Sequence, residues 1–371
     1  MLRSTYAVIR MPAFLKNIRL AKRRLKPETK FLAVIKANAY GHGITEVGTY
    51  LERSGLVDML GVAIPEEGIR LRHAGVTLPI LILGVTDPEH IPGVVGNELT
   101  PAVFTAKQVR LLEHCAKAAG KPAYAHVKLD TGMHRIGVTD EAMLDELLDA
   151  FDECPHVQMT GVFTHFAKSE SDPDFTMLQA RRFDAFVARI RARGYRPTVH
   201  AANSAATLDF PDLQYDMVRF GIALYGCHPD PKRTEGSGLT PVMSLVTHIT
   251  NLKTIPAGEG VSYGLRCIAS RPTKVATLPI GYGDGYKRCL TGKTDVLIGG
   301  IRCPQIGTIC MDQMMVDVSE VPCVAIDDEA VLIGRQGNEK ITADELADKA
   351  DTISYEILLS IGDRVPRVYE E

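Results

Sequence analysis

The sequence predicts an α/β fold, a (β/α)8 barrel of the TIM type over residues 1–235 followed by a β-rich domain over residues 236–371. Three observations carry this. Short apolar runs of strand type recur between residues 31 and 226, amphipathic segments lie between several of them, and beyond a polar linker the composition changes. A length of 371 residues also exceeds one usual domain, at roughly 150 residues each.

The runs fall at 31–37, 60–64, 78–84, 99–104, 124–130, 159–166, 198–203 and 217–225. Apolar residues return every three or four positions most clearly in 106–119, 139–153 and 174–193, which predicts helices there. Strands separated by helices favour a parallel sheet over an antiparallel one. The segment CHPDPKRTEGSG at 227–238 reads as a linker. From 241 to about 332, VMSLVTHIT, VATLPIGYGDG and TDVLIGGIRCPQIG alternate β-branched residues with Gly-rich turns, and one short helix is expected over 342–349.

Bulk properties exclude several classes. A net charge of -3 offers no basic field for nucleic acid or an anionic membrane. No apolar run approaches a membrane span, and the start MLRSTYAVIRM lacks the apolar stretch of a signal peptide, so a cytoplasmic protein is expected. The eight cysteines are scattered without a C-x-x-C pair and are expected to be mostly reduced core residues. The eleven histidines show no ligand spacing, so no metal is expected.

In a parallel barrel, catalytic groups come from the carboxyl ends of the strands, and here those ends carry polar residues. Lys36 closes FLAVIK and precedes a Gly-rich turn containing Tyr40. Burial there disfavours a lysine's charge and makes its amine a competent nucleophile for a Schiff base, although a lysine at a strand end can also reach back to solvent. The fifth run brings Lys128 and Asp130, then Arg135. The sixth brings Thr164 and His165, where a satisfied core histidine is the bland alternative. The seventh ends in Asn203 and Ser204, and the eighth carries Arg219 before Gly221 and Ile222. A phosphate often rests on the loops after strands seven and eight, a role for which Ser204, Gly221 and Ile222 are well placed. GYGDG at 281–285 imitates a nucleotide-binding turn, but its spacing and β-rich setting argue against one.

As a set these residues resemble the alanine racemases, barrel-type (fold type III) pyridoxal-phosphate enzymes. The resemblance spans VIKANAYGHG at 34–43, HVKLDTGMHRIG at 126–137, FTHFA at 163–167, ANSAA at 202–206, RFGIALYG at 219–226, VSYG at 261–264, GYGDGY at 281–286, GTICMDQMMVD at 307–317 and YEILLSIGDRVPRVY at 355–369. It implies that Lys36 holds pyridoxal 5'-phosphate as an imine and that Tyr263 is the opposing acid and base. It further implies that Tyr40, Ser204, the backbone at Gly221 and Ile222, and Tyr355 hold the cofactor's phosphate, with Asn203 also binding the cofactor. Arg219 would donate to the pyridine nitrogen, and His165 would lie against the ring. Arg135, Met311, Asp312 and Tyr282 would contact substrate, and Lys128 is a candidate for carbamylation. Gly283, Leu359 and Lys168 depart from common family residues without removing a catalytic group.

The resemblance therefore implies racemisation of alanine by two bases, Lys36 on the D-face and Tyr263 on the L-face, in a homodimer with shared sites. The product would supply D-alanine for bacterial peptidoglycan or enter its catabolism. A serine or broad-specificity racemase is the nearest alternative, since packing alone excludes an added hydroxyl poorly. A decarboxylase lacks its characteristic runs here. A non-catalytic pyridoxal-phosphate carrier would not need the region beyond the linker.

Overall fold

Eight strands, Lys30–Val34, Met59–Val62, Ile80–Ile82, Thr100–Val103, Ala123–Lys128, Val157–Phe163, Thr198–His200 and Met217–Phe220, pair in parallel into one nearly closed sheet. The last pairs back onto the first, with Arg219 opposite Leu32. Between the seventh and eighth, Asp216 N–H donates to Val199 O at 3.0 Å and Arg219 N–H to Ala202 O at 2.9 Å. A barrel strand is covered on both faces, which is why these segments are near-continuous apolar runs rather than alternating ones. Phe31, Leu32, Ala33, Ile80, Leu81 and Ile82 are fully buried. The structure, a computed structural model, describes residues 3–371; Met1 and Leu2, the start of the amino-terminal stretch read above, lie outside them.

Each run in the sequence outlasts its strand. The ladder of the first ends at Val34, so Lys36 stands past the strand rather than on its last residue. Some apolar residues beyond a ladder, such as Ile35, are as buried as the ladder itself, so hydrophobicity alone cannot mark the last hydrogen bond. The three clear amphipathic segments form Ala106–Ala119, Glu141–Glu153 and Pro173–Ala192. Each is capped locally: Thr105 and Gln108 form a capping box, and Asp140 and Asp172 accept from Met143 N–H and Phe175 N–H.

The chain divides into two compact units, one of Phe14–Ala39 with Gly43–Leu239, the other of residues 3–13, Tyr40–His42 and Thr240–Glu371. The amino-terminal residues 3–13 thus group with the β-rich unit rather than with the barrel that follows them in sequence. Strand Tyr6–Arg10 pairs antiparallel with Met243–His248 and parallel with Arg367–Glu370, partners more than two hundred residues away that no local pattern reveals. The β-rich unit holds a ten-stranded sheet. Ala343–Lys349 forms the expected helix, capped by Thr342, and a second helix, Ser354–Ser360, follows it.

GYGDG forms a 3-10 turn over Tyr282–Asp284, pinned by the buried Asp284 carboxylate, which takes a bidentate pair from Arg3 at 2.7 and 2.8 Å. All eight cysteines are free, but four are buried, two intermediate and two exposed, so the core claims half of them rather than most. Among the described residues no helix is long and apolar enough to cross a membrane.

Candidate active site

Lys36 begins an unusual turn. Ala37, Asn38, Ala39 and Tyr40 have φ of 52°, 54°, 53° and 51°, a left-handed run of residues that all carry a Cβ. Such a conformation costs about 1–2 kcal/mol per residue, so its surroundings must impose it. Glu67 does much of this, accepting from Asn38 N–H at 3.2 Å and Ala63 N–H at 2.8 Å. Asn38 Oδ1 accepts from Ile44 N–H at 2.9 Å. Burial lowers the Lys36 amine pKa, the Arg135 charge lowers it further, and Glu67 partly opposes both.

The fifth barrel strand delivers Lys128, which is buried and donates to Leu129 O at 2.6 Å. Burial pushes its amine down to about 7, with Arg219 and Arg135 adding to the effect and Asp130 opposing it. Asp130 organises the loop that follows. Its Oδ1 accepts from Gly132, Met133 and His134 N–H, each at 3.0 Å, and its Oδ2 from Arg135 N–H at 2.9 Å. Burial raises the carboxyl pKa, but these N–H groups and Lys128 outweigh it and hold Asp130 below its ordinary value. Asp130→Ala is therefore expected to cost about 2–3 kcal/mol in denaturant unfolding at neutral pH. A depressed carboxyl pKa contributes stability above about pH 4, and that contribution is lost as pH falls through the folded-state value. The two proteins' stabilities should accordingly converge in acid.

Arg219, on the eighth strand, is buried among acceptors. Its NH1 donates to His200 Nδ1 at 3.0 Å and His200 O at 3.1 Å; its NH2 donates to Thr164 O at 2.7 Å, Ala201 O at 2.8 Å and His165 Nδ1 at 3.1 Å. All these bonds run through the terminal nitrogens, and among the described residues the Nε–H has no hydrogen-bond partner. Burial, then Arg219, Arg135, Lys128 and Lys36, hold the His165 pKa well below its ordinary value, so the ring is neutral.

After the seventh strand, Asn203 caps helix Ser204–Asp209, and its Oδ1 accepts from Ala206 N–H at 3.0 Å and Ser169 O–H at 2.8 Å. Ser204 Oγ accepts from Gly221 N–H at 2.8 Å and from Ala223 N–H at 3.4 Å. The Gly221 N–H is thus committed within the protein.

The β-rich unit holds the remaining predicted residues. Tyr40 and Tyr355 pack with ring centroids 6.0 Å apart. Tyr263, Met311 and Asp312 line one cavity of about 840 Å³. Tyr263 is 73% exposed, in a turn held by Thr308, whose hydroxyl donates to Tyr263 O at 2.7 Å. Tyr282 N–H donates to Cys310 O at 3.1 Å, and Asp312 pairs with Arg364 at 2.7 Å. A Cβ on Gly283 would stand 2.7 Å from Arg364 and 3.0 Å from Met311 O, which accounts for glycine at that departure from the family.

The sequence reading missed Glu67, His200 and Gln179. Gln179 ties Ala167 N–H to Thr131 Oγ1 and His165 O, at 2.9, 3.3 and 3.1 Å. Of these only His200, at the carboxyl end of a strand, carried a signal of the kind used above.

A parallel barrel that gathers a partly buried lysine, a buried arginine and a buried serine at the carboxyl ends of its strands has the form of a barrel enzyme. Residues 9–229 match the family model "Alanine racemase, N-terminal domain", and residues 242–369 match "Alanine racemase, C-terminal domain". A Symbiobacterium thermophilum protein named alanine racemase is 43% identical over 99% of this chain and 97% of its own. A Desulfovibrio desulfuricans protein of that name is 43% identical over 100% of this chain and 99% of its own. The solved alanine racemase of Clostridium difficile superposes with a TM-score of 0.94 at 37% identity, covering 100% of this chain and 97% of that one. The Bacillus anthracis alanine racemase, solved with bound L-Ala-P, gives 0.93 at 34%, covering 100% and 96%. The chain belongs to the alanine racemase family and is an isomerase.

Proposed function

We propose that this chain interconverts L- and D-alanine with pyridoxal 5'-phosphate, Lys36 and Tyr263 serving as bases on opposite faces of the reacting carbon. The observation that carries the reading is the buried Arg219, whose terminal nitrogens are all bonded while its Nε–H has no partner among the described residues. A guanidinium is a donor that does not readily surrender its proton, so it suits a pyridine nitrogen kept unprotonated. The fit extends to Lys36, whose partly buried amine is shifted toward the neutral, nucleophilic form.

When bound, pyridoxal phosphate acidifies the α-hydrogen of the amino acid it carries. Ser204 O–H and Ile222 N–H, with Tyr40 and Tyr355, would hold the phosphate, and His165 would lie against the ring. Arg135 and the Met311 backbone, with Asp312 and Tyr282 beside them, would orient the substrate. Lys36 would take or return the proton on the D-face and Tyr263 on the L-face. By leaving the ring nitrogen unprotonated, Arg219 would limit side reactions such as transamination. The D-alanine formed would serve the bacterial wall, or the reverse reaction its catabolism, in the cytoplasm.

Tyr263 belongs to the β-rich unit, and we assign its action to the site of a second copy in a homodimer. Supporting this, Tyr263, Leu265 and Met311 are 73%, 58% and 53% exposed, large side chains of the sort that partners cover. Lys128, whose pKa is lowered to about 7, has enough neutral amine to attack carbon dioxide. The N–C bond would form as one C=O bond of carbon dioxide opens onto oxygen, the amine proton would pass to solvent, and the carbamate anion would carry its charge near Arg135. Protein equilibrated with 13C-bicarbonate should show a carbamate carbon resonance that Lys128→Ala lacks. The whole reading is tested with L-alanine in deuterium oxide: optical rotation should decay to zero as deuterium enters the α-position, and unchanged rotation would refute it.

A further inference from the structure

The strand Ala123–Lys128 holds one more buried polar side chain that the proposed mechanism does not use. His126 sits at a register irregularity, between Ala125 and His126, in the pairing with Val157–Phe163. Bulges of this kind re-aim a side chain. Opposite it stands Gly161, where an added Cβ would lie 2.4 Å from the imidazole, so only glycine admits the ring.

In that place His126 Nδ1 is 3.0 Å from His200 Nε2, and His200 Nδ1 is 3.0 Å from Arg219 NH1. The direction of this chain follows from its end. Arginine only donates, so His200 Nδ1 must be the acceptor. The neutral His200 ring then carries its proton on Nε2, and His126 Nδ1 must accept it. Burial, then the charges of Arg219 and Lys30, push His126 down to about 3, consistent with a neutral ring. Phe163 stacks on His200 at 4.9 Å and 5°, which blocks a ring tilt. The edge of His126 lines a polar cavity of about 360 Å³ with Lys30, Asp58, Arg72 and Tyr124, where its remaining N–H can be solvated.

We propose that His126 is a positioning residue for Arg219: by accepting the His200 Nε2 proton it stabilises the one His200 tautomer that can accept from Arg219, and thereby holds the orientation of the arginine's Nε–H. Without that acceptor, His200 can carry its proton on Nδ1, facing the NH1 donor, and the arginine must turn away. The proposal rests on the role given above to Arg219 in racemisation, but the tautomer itself does not.

The test uses full-length protein labelled with 15N-histidine, as purified. The His200 resonances should be pyridine-type at Nδ1 and pyrrole-type at Nε2. In His126→Leu, which cannot accept, the Nδ1 resonance should move toward the pyrrole type, and the visible absorption band of the bound cofactor should shift. Its kcat for alanine should fall about tenfold or more with KM little changed, the usual scale for outer partners that orient a site group. His126→Asn, whose Oδ1 can accept near the Nδ1 position, should restore the tautomer and most of kcat. A proton on His200 Nδ1 in the wild type, or unchanged tautomer and kcat in His126→Leu, overturns the proposal. Should the leucine variant not fold, His126→Asn decides, and loss of the tautomer or of kcat there also overturns it. A wild type that shows the tautomer but racemises nothing would instead refute the role given to the site.

Discussion

Tyr263→Phe should abolish racemisation while leaving half of the proton chemistry intact. The phenol is proposed to serve one face only, so its loss should reduce L-to-D conversion by about 10²–10⁴-fold, the range of a positioned acid or base. Lys36 would still exchange the α-proton of D-alanine, so deuterium should enter D-alanine from solvent without loss of optical purity. Folding should be unaffected, because Tyr263 is 73% exposed and its hydroxyl has no hydrogen-bond partner among the described residues. The turn is instead held through the Tyr263 carbonyl, which the substitution leaves in place. Racemisation at the wild-type rate would end the two-base assignment.

Lys36→Ala should be more severe, because one side chain is assigned both the covalent hold on the cofactor and the base on the D-face. Loss of residues acting as a unit commonly costs about 10⁴-fold or more, and deuterium exchange into either enantiomer should stop together. The purified variant should also lose the imine absorption that borohydride traps at position 36 in the wild type. Retention of the trapped product in Lys36→Ala would move the covalent site elsewhere. Mixing the two inactive variants adds a test of the shared site. If dimers form with sites completed across subunits, half the random dimers are mixed and one of their two sites is intact, restoring about a quarter of full activity. Sites built within one subunit would give the same mixture no recovery.

Much of the barrel was legible locally because its strands are buried on both faces. A segment such as Phe31, Leu32 and Ala33 can only be apolar, and the helices between strands bury one stripe at a helical period. Lys36, Lys128, Asp130, His165 and Arg219 stood out for the complementary reason, being polar groups set in runs that burial would otherwise keep apolar. The ends of the strands were less legible, since residues such as Ile35 are as buried as the ladder itself. Glu67 and Gln179 gave no signal because each lies on a helix whose polar face is ordinarily solvated, and only the packed barrel turns them inward onto Asn38 and Thr131.

The order of polar and apolar residues along the chain was thus enough for the barrel, the β-rich region and the main chemical groups at the strand ends, because burial acts on each residue where it stands. Three features had to await the folded molecule. The left-handed turn at Ala37–Tyr40 runs against the preference of its residues, and distant groups such as Glu67 impose it. The amino-terminal strand finds its partners across most of the chain. The direction of the His126, His200 and Arg219 bonds depends on three strands meeting around one axis. Each is a relation between residues remote in sequence, and hydrogen bonding depends on distances and angles that only packing sets.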